Sequence, residues 1–248
     1  MGMMLFPPSG GHWPTRRTWR HALLRYIENP AAWPEVCGYD DDLVVVRDAY
    51  PRARHHYLIL PRVRLDRLSE LEPSTHGALL AAMRDRAHVL IRQLRAGEAS
   101  PDAGMPMGPP REACNAPLTT SAATSVTAAS RGPATPVETD ATQAFAVGFH
   151  AVPSMAQLHL HVVSRDYAAR AMRSRLRWNA FTTAYFLPLS AVQSELHATG
   201  RITIDDVAMR KIVDEAPIRC HRCHSVIDNM AQLQQHLAAC TAPVDNLM

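Results

Sequence analysis

Residues 154–166 read SMAQLHLHVVSRD, and this alternation constrains the fold more than any other stretch of the chain. A period of two is the signature of a half-buried strand. It puts Leu158, Leu160 and Val162 on one face and Gln157, His159 and His161 on the other. The aliphatic face is expected to be core, and the imidazole face a candidate site. A lone histidine on a strand is usually packed core or ordinary surface. The company here is denser: His150 and Ser154 lie just upstream, and Asp48, His55 and His56 flank an earlier pair of apolar runs.

The chain has 248 residues, 47% of them hydrophobic, enough for one sizeable core and a small appended module. No apolar run reaches the length of a membrane span, and MGMMLFPPSGGHWP lacks the charged start and long apolar middle of a signal peptide. The expectation is therefore a soluble protein in a reducing, intracellular setting, with no membrane partner. Five cysteines is an odd count, and Cys220, Cys223 and Cys240 crowd into one C-terminal segment, which favours metal over a disulfide framework. Cys37 and Cys114 look incidental. The formal charge of +3 says little about partners. Its distribution says more: Arg170, Arg173, Arg175 and Arg177 fall within eight residues with no acid between them. Such a run is either a solvated face or a phosphate-binding patch.

TWRHALLRYIENP (Thr18 to Pro30) carries Leu23, Leu24 and Ile27 at helical spacing and predicts a short helix. Leu43 to Val46 and Tyr57 to Leu60 are apolar strands joined by a polar link containing Pro51, most simply a hairpin. From near Ser74, the positions Leu79, Leu80, Met83, Ala87, Leu90, Ile91 and Leu94 predict a long amphipathic helix. Gly97 to about Asp140 is Ala, Pro, Gly, Ser and Thr with almost no large apolar residue, and reads as a disordered insertion. QAFAVGFHAVP resumes strand-like alternation, a turn near Pro153 and Ser154 leads into LHLHVV, and a further helix is expected near Ala191 to Thr199. The order predicts an α+β domain with an antiparallel sheet. Trp178, embedded in apolar text, is expected to pack as core.

Cys220-x2-Cys223-x12-His236-x3-Cys240 has the spacing of a small zinc finger: a knuckle, an apolar spacer, and a helix delivering two ligands one turn apart. Ile227 and Leu233 would form its miniature core. His221 and His224 lie close enough to compete as ligands.

RDAYPRARHHYLILPR together with GFHAVPSMAQLHLHVVSRD resembles the histidine-triad (HIT) superfamily, whose motif is His-Φ-His-Φ-His-Φ-Φ with Φ apolar. WNAFTTAYFL and the terminal finger resemble in particular its DNA-repair branch, and the likeness runs from Trp19 to Cys240 apart from the insertion. The resemblance implies a hydrolase that removes AMP from 5′-adenylated DNA ends left by abortive ligation, with DNA as partner, AMP as product and a nuclear location. It implies that His159 attacks phosphorus to form a covalent histidine-AMP intermediate, that His161 binds the phosphate oxygens, and that His150 assists departure of the leaving group. It further implies that Ser154 binds phosphate, that Asp48 accepts from the ribose hydroxyls, and that His56 supports the triad. Zinc would be structural, with no metal required for catalysis; Arg170 to Arg177 and the finger would hold DNA. Protein partners are not indicated, and the phosphopeptide-binding domain of some longer relatives is not found in this sequence.

Gln157 stands where the motif has its first histidine. A glutamine can donate and accept there, so exchange for histidine is expected to be tolerated. The expected layout is an N-terminal extension (1–18), a HIT-like catalytic domain (19–166), a basic connecting segment (167–215) and the finger (216–242). Two other readings share these residues: a general HIT hydrolase acting on small adenylated molecules, and a zinc-finger nucleic-acid-binding protein that senses nucleotides without turnover.

Overall fold

A computed structural model of the protein describes residues 19–98 and 144–243. The expected N-terminal extension, Cys114 and nearly all of the expected insertion lie outside the described residues.

The first helix is shorter than its sequence pattern: turns from Trp19 lead into α1 (Leu24–Glu28), whose Ile27, with Leu23 and Tyr26, is buried. The two apolar runs form the expected hairpin. β1 (Val36–Tyr39) pairs with β2 (Leu43–Arg47), and β2 with β3 (His56–Pro61), setting Val45 opposite Ile59. The long helix α2 (Pro73–Glu98) continues through Gly97, where the insertion was expected to begin, because its apolar stripe is already anchored by Leu90, Ile91 and Leu94. β4 (Phe145–His150) and β5 (Leu160–Ser164) follow, then α3 (Arg175–Thr182), β6 (Phe186–Pro188), α4 (Leu189–Thr199), α5 (Asp206–Glu215) and α6 (Met230–Ala239). The strands make one six-stranded antiparallel sheet, ordered β1-β2-β3-β5-β4-β6.

Both faces of this sheet are covered, which is why β2 and β3 are almost continuously apolar. On one face Val45, Tyr57, Ile59, Leu160 and Val162 pack under α2 through Leu80, Met83, Ala87 and Leu90, and Leu158 joins them. All three aliphatic residues of the 158–162 alternation are thus in this core, as the period of two predicts. On the other face Val44, Val46, Leu58 and Leu60 pack under Leu23, Tyr26 and Ile27. A separate cluster joins Val163, Tyr167, Met172, Trp178, Phe181 and Phe186 to Ile218, Cys220 and Leu233. Trp178 is fully buried core, and its indole Nε1 donates to the Arg219 carbonyl.

Register decides where the histidines meet. His161 stands opposite Leu58 on β3 and Gly148 on β4, so all three share a face. His56 lies two residues before Leu58 and His150 two after Gly148, which brings the imidazoles of three adjacent strands together on the face away from α2. Gly148 is obligatory. A Cβ there would fall 2.4 Å from the Leu187 carbonyl oxygen and 2.6 Å from Phe186 Cε1, so only glycine lets β6 close over β4.

Candidate active site and zinc centre

Sequence alternation placed Gln157 on the strand beside the histidines; the structure does not. β5 begins at Leu160, and Gln157 precedes it with φ 80°, in the left-handed region. Its buried side chain turns away from the imidazoles, and Nε2 donates to the carbonyls of Pro61 (2.7 Å) and Val63 (3.0 Å) at the end of β3. What reaches the site is its backbone: His159 Nδ1 lies 2.8 Å from the Gln157 carbonyl oxygen. A carbonyl only accepts, so Nδ1 carries the proton and Nε2 keeps its lone pair. The motif position is therefore filled by a residue that orients the next histidine through its main chain.

His161 is set by a different chain of bonds. The Arg52 amide donates to His56 Nδ1 (3.2 Å), which leaves the His56 proton on Nε2, 3.0 Å from His161 Nδ1 and 3.5 Å from an Asp48 carboxylate oxygen. His161 Nδ1 then accepts, and its own proton sits on Nε2, a buried atom with no protein partner. A donor with nothing to bind is what a phosphoryl oxygen requires. His150 Nε2 is likewise buried and unpartnered, with its ring centroid 4.4 Å from that of His161. The His159 centroid is 5.0 Å from that of His161.

Burial holds these rings neutral. Desolvation pushes His56 down to about 4 and His150 to about 3, and drives His161 well below the ordinary range. Burial also lowers His159, opposed by its bond to the Gln157 carbonyl and by the Asp48 charge. Asp48 is fixed by the Tyr50 amide, which donates to Oδ1 (2.7 Å). The cluster thus presents an unprotonated nucleophile beside a neutral donor.

Of the residues expected here, His150, His159, His161, His56 and Asp48 come together. Ser154 does not. It lies exposed on the loop between β4 and β5, whose inward positions are taken by Ala151, Val152, Ala156 and Leu158, and it forms no hydrogen bond with the histidines among the described residues. Arg170, Arg173, Arg175 and Arg177 are all exposed. Arg175 donates to the Glu215 and Ala216 carbonyls and so ties α3 to the end of α5. Arg177 stands near enough to Arg52 to help lower its pKa, after burial.

Sequence reasoning missed Arg52, whose amide sets the His56 tautomer, because a loop residue carries no periodic signal. It also gave no role at the site to Phe181 or Tyr185. Phe181 stands edge-on to His150 (4.7 Å), His161 (5.5 Å) and His56 (5.6 Å). The Tyr185 hydroxyl donates to the Val152 carbonyl and its own carbonyl accepts from the Ala151 amide, which clamps the loop after His150.

At the C-terminus the donor atoms of Cys220, Cys223, His236 and Cys240 all lie within 4.8 Å of one another. Cys220 Sγ is 3.9 Å from Cys240 Sγ, and Cys223 Sγ is 3.1 Å from His236 Nε2. A tetrahedral zinc with bonds of ~2.3 Å sets such atoms about 3.8 Å apart, so this donor set fits Zn2+. The Arg222 amide donates to Cys220 Sγ, a knuckle bond that favours thiolate, and Asn229 caps α6 through the Gln232 amide. The competing histidines fall away: His221 is buried against Tyr167 and Trp178, and His224 is exposed at φ 59°. Leu233 is fully buried and Ile227 packs beside it, but not as a private core. They belong to the cluster that contains Phe181 and Phe186, so the finger and the histidine pocket share packing.

A HIT-domain family model matches residues 32–168, and a C2HE / C2H2 / C2HC zinc-binding finger model matches residues 182–242. Aprataxin of Gallus gallus is 31% identical over 222 residues, covering 88% of this chain and 54% of that protein. Aprataxin of Ciona intestinalis is 27% identical over 227 residues, covering 92% and 47%. The chain therefore spans about half the length of these curated relatives. The fold is also that of the aprataxin ortholog Hnt3 solved in complex with DNA, with a TM-score of 0.58 at 23% identity, covering 89% of this chain and 95% of that one.

Proposed function

The chain belongs to the HIT-domain family and carries a C-terminal zinc-binding finger, and from that premise we propose that it is a DNA-repair hydrolase that removes AMP from 5′-adenylated DNA. The observation that carries the reading is the pair of opposed tautomers: His159 with its proton on Nδ1 and a free Nε2, beside His161 with its proton on Nε2. One ring is a nucleophile and the other an oxyanion donor, the two parts that phosphoryl transfer requires.

In the proposed reaction His159 Nε2 attacks the adenylate phosphorus, a P–N bond forms, and the bond to the DNA 5′-phosphate oxygen breaks. The positive charge left on the ring is stabilised through Nδ1–H by the Gln157 carbonyl. His161 Nε2–H donates to a non-bridging oxygen. His150, neutral when empty, gains basicity as the anionic substrate enters and can then donate to the departing phosphate. Water cleaves the P–N bond, releases AMP and restores His159. Asp48 is placed for the ribose hydroxyls, and Ser154 would reach phosphate only from its loop. The residues of this cycle need no metal; Zn2+ at Cys220, Cys223, His236 and Cys240 is structural.

The combination of HIT domain and finger favours DNA over small adenylated molecules, since the finger, Arg170, Arg173 and Arg177 offer surface that a free nucleotide would not use. A nuclear location is part of the proposal and rests on the DNA substrate alone. Incubation with 5′-adenylated nicked DNA and, separately, with free adenylated dinucleotides tests the proposal. AMP release from the nicked DNA at the higher kcat/KM is expected, and preference for the dinucleotide would replace this reading with the general hydrolase.

A further inference from the structure

We infer that a cavity behind the β4–β5 loop is a second phosphate site, built on Arg20 and Arg210 and separate from the histidine cluster. The cavity has a volume of about 150 Å3, and its wall includes Arg20, Asp66, Arg67, Asp206, Arg210 and, from the loop, Ala151 to Pro153 with Met155 and Ala156. The wall carries three arginines, Arg20, Arg67 and Arg210, against two acids, Asp66 and Asp206, and so keeps one net positive charge. Asp206 lies 3.8 Å from Arg67, and Asp66 lies 3.8 Å from Arg64 outside the wall. Arg20 and Arg210 are then left without a carboxylate at ion-pair distance among the described residues. Arg20 and Arg210 both line one concavity, and the planar fork of a guanidinium matches a phosphate.

Size narrows the ligand. Pockets that hold whole drug-sized molecules run to about 300–1,000 Å3, so this one fits a phosphate group rather than a nucleotide. Its position also matters. The loop that forms the wall leads directly from His150 to His159, the Arg20 carbonyl accepts from the Ala156 amide (2.6 Å), and the Tyr185 hydroxyl and carbonyl hold the same loop at Val152 and Ala151. An anion on Arg20 and Arg210 therefore braces the loop that separates it from the histidines. Its source is either a phosphodiester of bound DNA or free phosphate; the first rests on the proposed DNA substrate, whereas the site itself does not.

The test compares the wild-type protein with the double variant Arg20→Ala/Arg210→Ala, using Arg84→Ala/Arg92→Ala at exposed positions of α2 as a control for charge alone. Both target side chains are exposed, and an unchanged melting temperature without ligand verifies the fold. Affinity for an unadenylated duplex oligonucleotide is measured from ~0.05 to ~0.3 M salt, where one lost phosphate lowers the salt exponent by about 0.9 and the affinity at ~0.1 M on the order of 10-fold. Thermal midpoints with inorganic phosphate form the second arm. A loss of affinity and slope in the double variant alone assigns the site to DNA. Unchanged DNA affinity, with phosphate stabilising the wild type but not the double variant, assigns it to free phosphate. No difference in either arm, or an equal loss in Arg84→Ala/Arg92→Ala, overturns the site. Failure of the hydrolase reading would show separately, as wild-type protein that binds DNA and releases no AMP.

Discussion

Replacing Gln157 with histidine would restore the family motif, yet it should damage this protein. The side chain is fully buried, and one amide nitrogen donates both hydrogens to two main-chain carbonyls, at Pro61 and Val63. A neutral imidazole cannot direct two N–H bonds from one atom, so at least one carbonyl is orphaned at a cost of about 1–3 kcal/mol. Gln157→Ala loses both bonds and leaves a void, for about 2–5 kcal/mol. The Gln157 carbonyl also orients His159, and a displacement near 1 Å at a reacting group is worth on the order of 100-fold in rate. Urea denaturation and single-turnover AMP release measure the two effects. Gln157→Gly separates side chain from backbone: it relieves a left-handed conformation worth roughly 1–2 kcal/mol but still lacks the clamp, and should remain less stable than wild type. A Gln157→Gly variant as stable as the parent, with unchanged turnover, would refute the clamp.

Four further outcomes follow from the geometry. His150→Ala should slow cleavage of the adenylate bond on the order of 100-fold with little change in DNA affinity, and unaltered single-turnover rates would remove it from the chemistry. Stability should fall with acid: His56 and His150 have folded values of about 4 and about 3 against 6.5 unfolded, so the unfolded chain binds more protons below pH 6.5. Each then costs about 1.4 kcal/mol per pH unit from 6.5 down to its folded value, and a urea midpoint constant between pH 7 and 5 would contradict this. Cys223→Ser or zinc chelation should impair small adenylated substrates as well as DNA, because Leu233 and Cys220 share a cluster with Phe181 and Phe186; loss confined to DNA would show the finger to be independent. Gly148→Ala should expel β6 from the sheet edge and cost several kcal/mol on the scale of overpacked cores, and a variant with wild-type stability would show that β6 can yield.

Much of this was legible in the sequence because it is periodic or spaced. Leu158, Leu160 and Val162 had to be core once the period of two was read, and α2 followed from its apolar stripe. The four donors that converge at the C-terminus, Cys220, Cys223, His236 and Cys240, were legible from spacing alone, although the choice against His221 needed the packing of Tyr167 and Trp178. Gln157 was misplaced because alternation carries no sign of a left-handed residue just before a strand. Ser154 was assigned by motif, and it lies exposed on the loop between β4 and β5. Arg52, Phe181 and Tyr185 were invisible for the same physical reason: they act through contacts between segments far apart in the chain, as in the edge-on stack of Phe181 over three histidines. The finger looked like a separate module because its ligands are local. Its core is not local, since Leu233 packs with Trp178 and Phe181.

The central claim is that His159 Nε2 takes the adenylate. Nicked DNA labelled at the adenylate phosphorus, mixed briefly with protein and denatured without acid, tests it most directly. Label should remain on the wild-type chain, map to the peptide containing His159, and be absent from His159→Ala and His159→Asn, which should still bind the DNA. Label on another residue, or AMP released at the wild-type rate by either variant, would contradict it.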